Sequence, residues 1–206
     1  MKIDTPVGPA RAVPTTAVDA RATLVLGHGA GGGIQAPDLV VLARELPKRG
    51  VSVVLVEQPW RVAGRTVSAP PATLDRGWLA VIEELAIGTP LVVGGRSAGA
   101  RVACRTAVAS GALGVVALAF PLHPPGRPER SRLPELTGAA VPTLVIQGTG
   151  DTFGGPAEFP PGTELRPVEG ADHGFKIAKA AGVTQSAALT AVAADVGDWV
   201  DRLIPR

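Results

Sequence analysis

Ser97, Asp151 and His173 are the residue types from which nucleophilic acyl transfer is assembled, and their surroundings suit that chemistry. Ser97 is the centre of Gly95-Arg96-Ser97-Ala98-Gly99, a G-x-S-x-G pentapeptide between the apolar run "LVVG" and a stretch of helical spacing. A sharp turn from strand to helix pushes a serine hydroxyl outward, and small neighbours keep strand and helix from colliding. A neutral hydroxyl is a weak nucleophile, so a base must take its proton, and histidine titrates in the right range. The imidazole in turn needs a carboxylate to fix its tautomer and stabilise the cation that forms. His173 lies in "VEGADHGF" and Asp151 in "LVIQGTGDTF", each just past an apolar run. The plainer alternative for Ser97 is an ordinary helix N-cap. Asp172, adjacent to His173, is a rival carboxylate, but neighbours in one loop seldom face each other, and Asp151 is the better placed.

The run "GHGAGGG" (27–33) admits two readings. Gly27, Gly29 and Gly32 match the G-x-G-x-x-G of a dinucleotide site, with Glu57 as the ribose-binding acid. Against this, "GIQAPD" separates the glycines from the next helical stretch, whereas a pyrophosphate needs the helix N-terminus directly after them. Glu57 also falls 25 residues beyond Gly32, later than the usual spacing of about 20. The second reading is an oxyanion loop, in which backbone N–H groups meet the charge of a tetrahedral intermediate. Here the donors would be the amides of Ala30 and Ala98, with His28 fixing the loop. His28, Gly29, Gly31, His123 and Phe153 are candidate pocket-lining residues. His123 also suits a loop-bracing hydrogen bond, Glu57 a strand-edge role, and Lys176 either an ion pair or steering of anions. Cys104, seven residues into the helical stretch, reads as a small core residue.

Elements of defined type must bring these residues together. "ATLVLG" (22–27), "SVVLVE" (52–57), "PLVVGG" (90–95), "GVVALAF" (114–120) and "PTLVIQG" (142–148) are apolar runs without polar alternation, as in strands covered on both faces. "TELRPV" (163–168) is a sixth. Helical periodicity marks 38–50, 73–86, 97–110 and 184–204. This alternation predicts right-handed crossovers and a mostly parallel sheet of about six to seven strands flanked by helices. Residues 1–20 read as an irregular segment, an edge strand or a hairpin, and 121–136 as a Pro-rich loop with a short helix at most. Reactive groups of such sheets sit beyond the carboxyl ends of the strands, where every candidate above falls. About twenty residues separate the fourth run from the fifth, too few for a helical cap domain.

Composition excludes several classes. A chain of 206 residues suits one domain, 1–206. Its net charge of +2 is spread without a basic run, which argues against nucleic acid. A single cysteine allows no internal disulfide, and three distant histidines share no metal-ligand spacing. The first twenty residues lack an apolar signal-peptide core, and no apolar run has the length of a membrane span. The expectation is a cytoplasmic protein acting on a small molecule, without membrane or nucleic-acid partners and with no protein partner specified.

"LVLGHGAGGG", "LVVGGRSAGARVA", "FPLHPPGRPER", "VPTLVIQGTGDTFG" and "GADHGFK" together span most of residues 22–177. In these stretches the chain resembles the α/β-hydrolase superfamily, in particular a small dienelactone-hydrolase-like branch that also contains a subunit of a chromatin-modifying complex. The chain order Ser…Asp…His agrees with that superfamily. The resemblance implies Ser97, Asp151 and His173 as a catalytic triad, a single α/β-hydrolase domain without a cap, and no metal or organic cofactor. Dienelactone hydrolases use a cysteine nucleophile where this chain has Ser97, so their substrate is not carried over. The expected activity is serine hydrolysis of a small or accessible ester or thioester, of the carboxylesterase kind. The chromatin relative keeps a second expectation open, a catalytically idle fold used as an interaction module.

Overall fold

A computed structural model describes residues 1–178 and 181–204. Six apolar runs form parallel strands: β3 (Ala22–Gly27), β4 (Val51–Glu57), β5 (Leu91–Arg96), β6 (Gly114–Leu118), β7 (Thr143–Gly148) and β8 (Leu165–Val168). The N-terminal segment supplies two strands, β1 (Lys2–Ile3) and β2 (Ala10–Thr15). They pair antiparallel with each other, and β2 continues antiparallel along β4, covering what would be an open edge. The sheet therefore has eight strands, in the order β1-β2-β4-β3-β5-β6-β7-β8, against an expected six to seven.

Among the described residues six α-helices accompany the sheet: α1 (Pro37–Glu45), α2 (Pro59–Val62), α3 (Pro71–Leu85), α4 (Ala98–Thr106), α5 (Leu133–Thr137) and α6 (Gln185–Leu203). Proline stands in the first turn of α1, α2, α3 and α5, where its missing N–H costs no helical bond. α6 begins instead on Thr184, whose side chain accepts from the Ala187 N–H at 3.2 Å.

Within the apolar strands the two-residue period still sorts side chains by face. Leu24, Leu26, Val53, Leu55 and Ile146 pack under Leu39 and Leu42 of α1 and Val192 and Trp199 of α6. Val25, Val54, Val93 and Val115 pack under Trp78 and Val81 of α3 and Val102 and Ala103 of α4. Each fully buried Leu or Val side chain contributes about 1.5–3 kcal/mol relative to an exposed one. The two layers hold the sheet between them. No described helix is long and apolar enough to cross a membrane.

The order of strands reverses at β3. The chain first steps outward from β3 to β4, then returns past β3 to β5 and continues in the other direction. The loops leaving β3 and β5 consequently diverge and open a crevice at the carboxyl edge of the sheet. The glycine run leaves β3 there, and Ser97 leaves β5. Between β6 and β7, residues 119–142 hold only the five-residue α5, so no helical cap stands over that edge.

Candidate active site

Ser97 occupies the turn between β5 and α4 with φ 52° and ψ −108°, a conformation that costs a non-glycine residue on the order of 1–3 kcal/mol. Its N–H is held by the Leu118 carbonyl at 2.9 Å, which ties the turn to the neighbouring β6. Its hydroxyl makes no helix-capping bond. The flanking glycines answer to a close crossing of backbones. A Cβ on Gly95 or on Gly99 would each lie 2.5 Å from the Gly27 carbonyl oxygen, closer than any side chain tolerates. The strand and helix around Ser97 are thus kept small to let the end of β3 pass between them.

Loops from three strand ends meet at the hydroxyl. His173 Nε2 lies 2.9 Å from Ser97 Oγ, and His173 Nδ1 lies 2.8 Å from Asp151 Oδ2. A carboxylate only accepts, so Nδ1 carries the proton and Nε2 is left to accept from the serine hydroxyl. Asp151 is buried, and its other oxygen accepts from the Phe153 N–H at 2.8 Å. The Phe153 ring stacks on the imidazole, with centroids 4.1 Å apart and planes 25° from parallel. Asp172, the rival carboxylate, is engaged elsewhere: its Oδ1 accepts from the N–H groups of Gly174 and Lys176 at 2.7 and 2.9 Å.

A cavity of about 520 Å³ opens beside Ser97 and His173, lined among others by Gly29, Ala30, Gly31, Ala98 and Phe153. The glycine run and the residue after Ser97 therefore face the same space. Helix α1 starts only at Pro37, so the glycines do not feed a helix N-terminus as a dinucleotide site requires.

His28 and His123, both candidates for the pocket lining, lie outside this cavity. His28 is buried behind the loop, where Nε2 accepts from the Gln58 N–H at 3.1 Å and Nδ1 faces the Gly29 carbonyl at 2.9 Å. That pairing calls for a neutral ring protonated on Nδ1, and burial holds its pKa below the usual histidine value. His28 thus braces the oxyanion-loop candidate from behind. His123 braces a different loop, with Nδ1 on the Pro124 carbonyl and Nε2 on Glu158, each at 2.9 Å. Those two contacts raise its pKa. Glu57 pairs with Arg11 of β2 at 3.0 Å. Cys104 is buried in the core under α4, and burial pushes its thiol up to about 12.

Three residues that the sequence reading did not single out support the arrangement. Gln147, buried in β7, donates from Nε2 to Asp151 Oδ2 at 2.9 Å and to the Gly154 carbonyl at 2.7 Å. Its signal was present: one carboxamide at the end of the otherwise apolar "TLVIQG". Arg96 donates to the His173 carbonyl at 3.1 Å and so anchors the histidine loop to the end of β5. Behind it, Asp38 is buried with Oδ2 3.8 Å from Arg96 Nε and no hydrogen bond to either carboxylate oxygen. Burial raises its pKa, against the opposing charge of Arg96. Among the described residues no cluster of three or more His, Cys, Asp or Glu side chains could hold a metal ion.

Solved structures share this architecture across the whole chain. An α/β serine hydrolase without a lid from Xanthomonas campestris is 21% identical with a TM-score of 0.74, covering 100% of this chain and 94% of its own. Est1E from Butyrivibrio proteoclasticus, in a structure with ferulic acid bound, is 15% identical with a TM-score of 0.77 and full coverage of both chains. A dienelactone hydrolase from Anabaena variabilis is 18% identical with a TM-score of 0.72, covering 98% and 95%. No curated protein sequence matches the chain. The pattern of the alpha/beta hydrolase domain, in contrast, matches residues 20–201. With nearly its whole length accounted for in this way, the chain belongs to the α/β-hydrolase family.

Proposed function

We propose that the protein is a serine hydrolase that cleaves small or accessible carboxylic esters or thioesters through an acyl-enzyme. The observation that carries this reading is the continuous run of contacts from Ser97 Oγ to His173 Nε2 at 2.9 Å and from His173 Nδ1 to Asp151 at 2.8 Å. In the proposed reaction His173 Nε2 takes the proton of Ser97 as Oγ attacks the ester carbonyl carbon. Asp151 holds the Nδ1 tautomer and stabilises the imidazolium that results. The carbonyl oxygen becomes an anion, received by the amides of Ala30 and Ala98. The imidazolium then gives its proton to the departing alcohol or thiol, leaving an acyl group on Ser97. Water, deprotonated by His173, attacks that acyl group and releases the acid.

The absence of a cap over residues 119–142 favours short or surface-accessible substrates. The lidless serine hydrolase and the ferulic-acid-bound Est1E among its structural neighbours are in keeping with that preference. A fluorophosphonate probe tests the reading. It should label the protein covalently, and Ser97→Ala should abolish labelling while leaving the fold intact by circular dichroism. A folded wild-type protein that takes no label and hydrolyses no activated ester would favour the idle interaction module instead.

A further inference from the structure

The cavity beside Ser97 has a charge that acyl transfer itself does not require. Arg96, Arg101 and Arg132 all line it, and no Asp or Glu side chain does. Two of the three are occupied. Arg101 is held fork to fork by Glu135 at 2.8 and 2.5 Å, and Arg96 is bonded to the His173 carbonyl with Asp38 behind it. Glu135 is in addition shared with Arg105 at 2.7 Å, so it has little left to give a further cation. Arg132 is different. Its guanidinium makes a single bond, from Nη1 to the Pro121 carbonyl at a long 3.3 Å, and among the described residues no carboxylate lies within ion-pair distance.

Arg132 is half-buried, so its charge is partly removed from water without a partner in return. Burial and the neighbouring Arg101 charge pull its pKa down. Its backbone is nevertheless fixed, since the Arg132 N–H donates to the Leu122 carbonyl at 2.6 Å. A planar fork of donors, anchored at its root and open at its tip, is matched by the two coplanar oxygens of a carboxylate or two oxygens of a phosphate.

We propose that Arg132, backed by the charge of Arg101, binds a compact anionic group of the substrate, a carboxylate or a phosphate, near the scissile carbonyl. The proposal rests on the hydrolase reading and narrows it to anionic esters. The anion forms paired N–H···O bonds with the guanidinium and displaces only solvent. No side chain of the wall has to change partner.

Matched esters test it. On the leaving-group side, 3-acetoxybenzoate and 3-acetoxyphenyl phosphate are compared with neutral 3-acetoxybenzamide. On the acyl side, mono-4-nitrophenyl adipate is compared with its methyl ester. At least one anionic member should exceed its neutral partner in kcat/KM by about tenfold or more, the worth of a charge-assisted hydrogen bond. Which member wins identifies the anion. The preference should shrink with added salt, collapse toward unity in Arg132→Gln, and survive in part in Arg132→Lys. Hydrolysis of the neutral esters with no anionic preference, or a preference that persists unchanged in Arg132→Gln, overturns the anion subsite and leaves the hydrolase reading standing. A protein that hydrolyses none of the esters and takes no fluorophosphonate overturns both.

Discussion

Gln147 and His173 converge on one oxygen. Asp151 Oδ2 receives the Gln147 carboxamide at 2.9 Å and the His173 ring at 2.8 Å, while Oδ1 takes the Phe153 N–H. The carboxylate is thereby fixed by β7 on one side and by its own loop on the other before the imidazole arrives. Gln147→Leu removes the strand-side donor and should lower kcat about tenfold with little change in KM, because the lost bond positions the carboxylate rather than the substrate. Gln147→Glu should move the acid limb of the pH–rate profile upward, since two carboxyls in contact share a proton. Steady-state kinetics against pH on an activated ester checks both.

The Asp151 carboxylate itself should matter more. Asp151→Asn keeps the shape but presents a group able to donate toward His173 Nδ1, favouring the wrong tautomer. A fall in kcat of about 10⁴-fold, with the thermal midpoint changed little, is the expected result. Near-normal turnover would mean that another carboxylate orients the ring.

The crossing at Gly27 makes a stability prediction that is independent of chemistry. In Gly99→Ala the new methyl would stand 2.5 Å from the Gly27 oxygen and 2.6 Å from its carbonyl carbon, both backbone atoms. Overpacking of this kind costs about 1–3 kcal/mol or more. A protein of this size should lose about 2–4 °C of Tm per kcal/mol by calorimetry.

Two buried groups tilt stability in opposite directions with pH. His28 has a folded pKa below its ordinary 6.5, so the unfolded chain binds more protons there, and stability is lost as pH falls below that value. Asp38 has a folded pKa above its ordinary 3.8, so the folded chain binds more protons, and stability is lost as pH rises from that value through the folded one. Asp38→Asn should therefore raise Tm over wild type near neutrality, with the gap closing as pH approaches about 4. Thermal melts of the two proteins across that range measure the difference directly.

The sheet and the places of the candidate site residues were legible for related reasons. Unbroken apolar runs from Ala22 to Gly148 mark strands covered on both faces, and the ends of such strands are where Ser97, Asp151 and His173 occur. The N-terminal hairpin was legible only as one alternative to an irregular segment or a lone edge strand, because Lys2–Ile3 carries no periodicity and exists only by pairing with β2. His28 and His123 are visible as residues, but their direction is set by partners distant in sequence, Gln58 in one case and Glu158 in the other. Arg132 gave no signal at all. Its significance lies in which carboxylates its neighbours have already taken, and that is a property of packing rather than of spacing.

The backbone crossing also fixes what in this scaffold is free to vary. Because Gly27, Gly95 and Gly99 touch through main-chain atoms, the strand bearing the glycine run and the turn bearing Ser97 form one stiff unit. Ser97 and the loop that faces it cannot be retuned separately, since any added carbon at the joint displaces both. Adaptation to new molecules must then be written at outer positions such as Ser68, Pro121 and Arg132, which line the cavity without bearing on that joint.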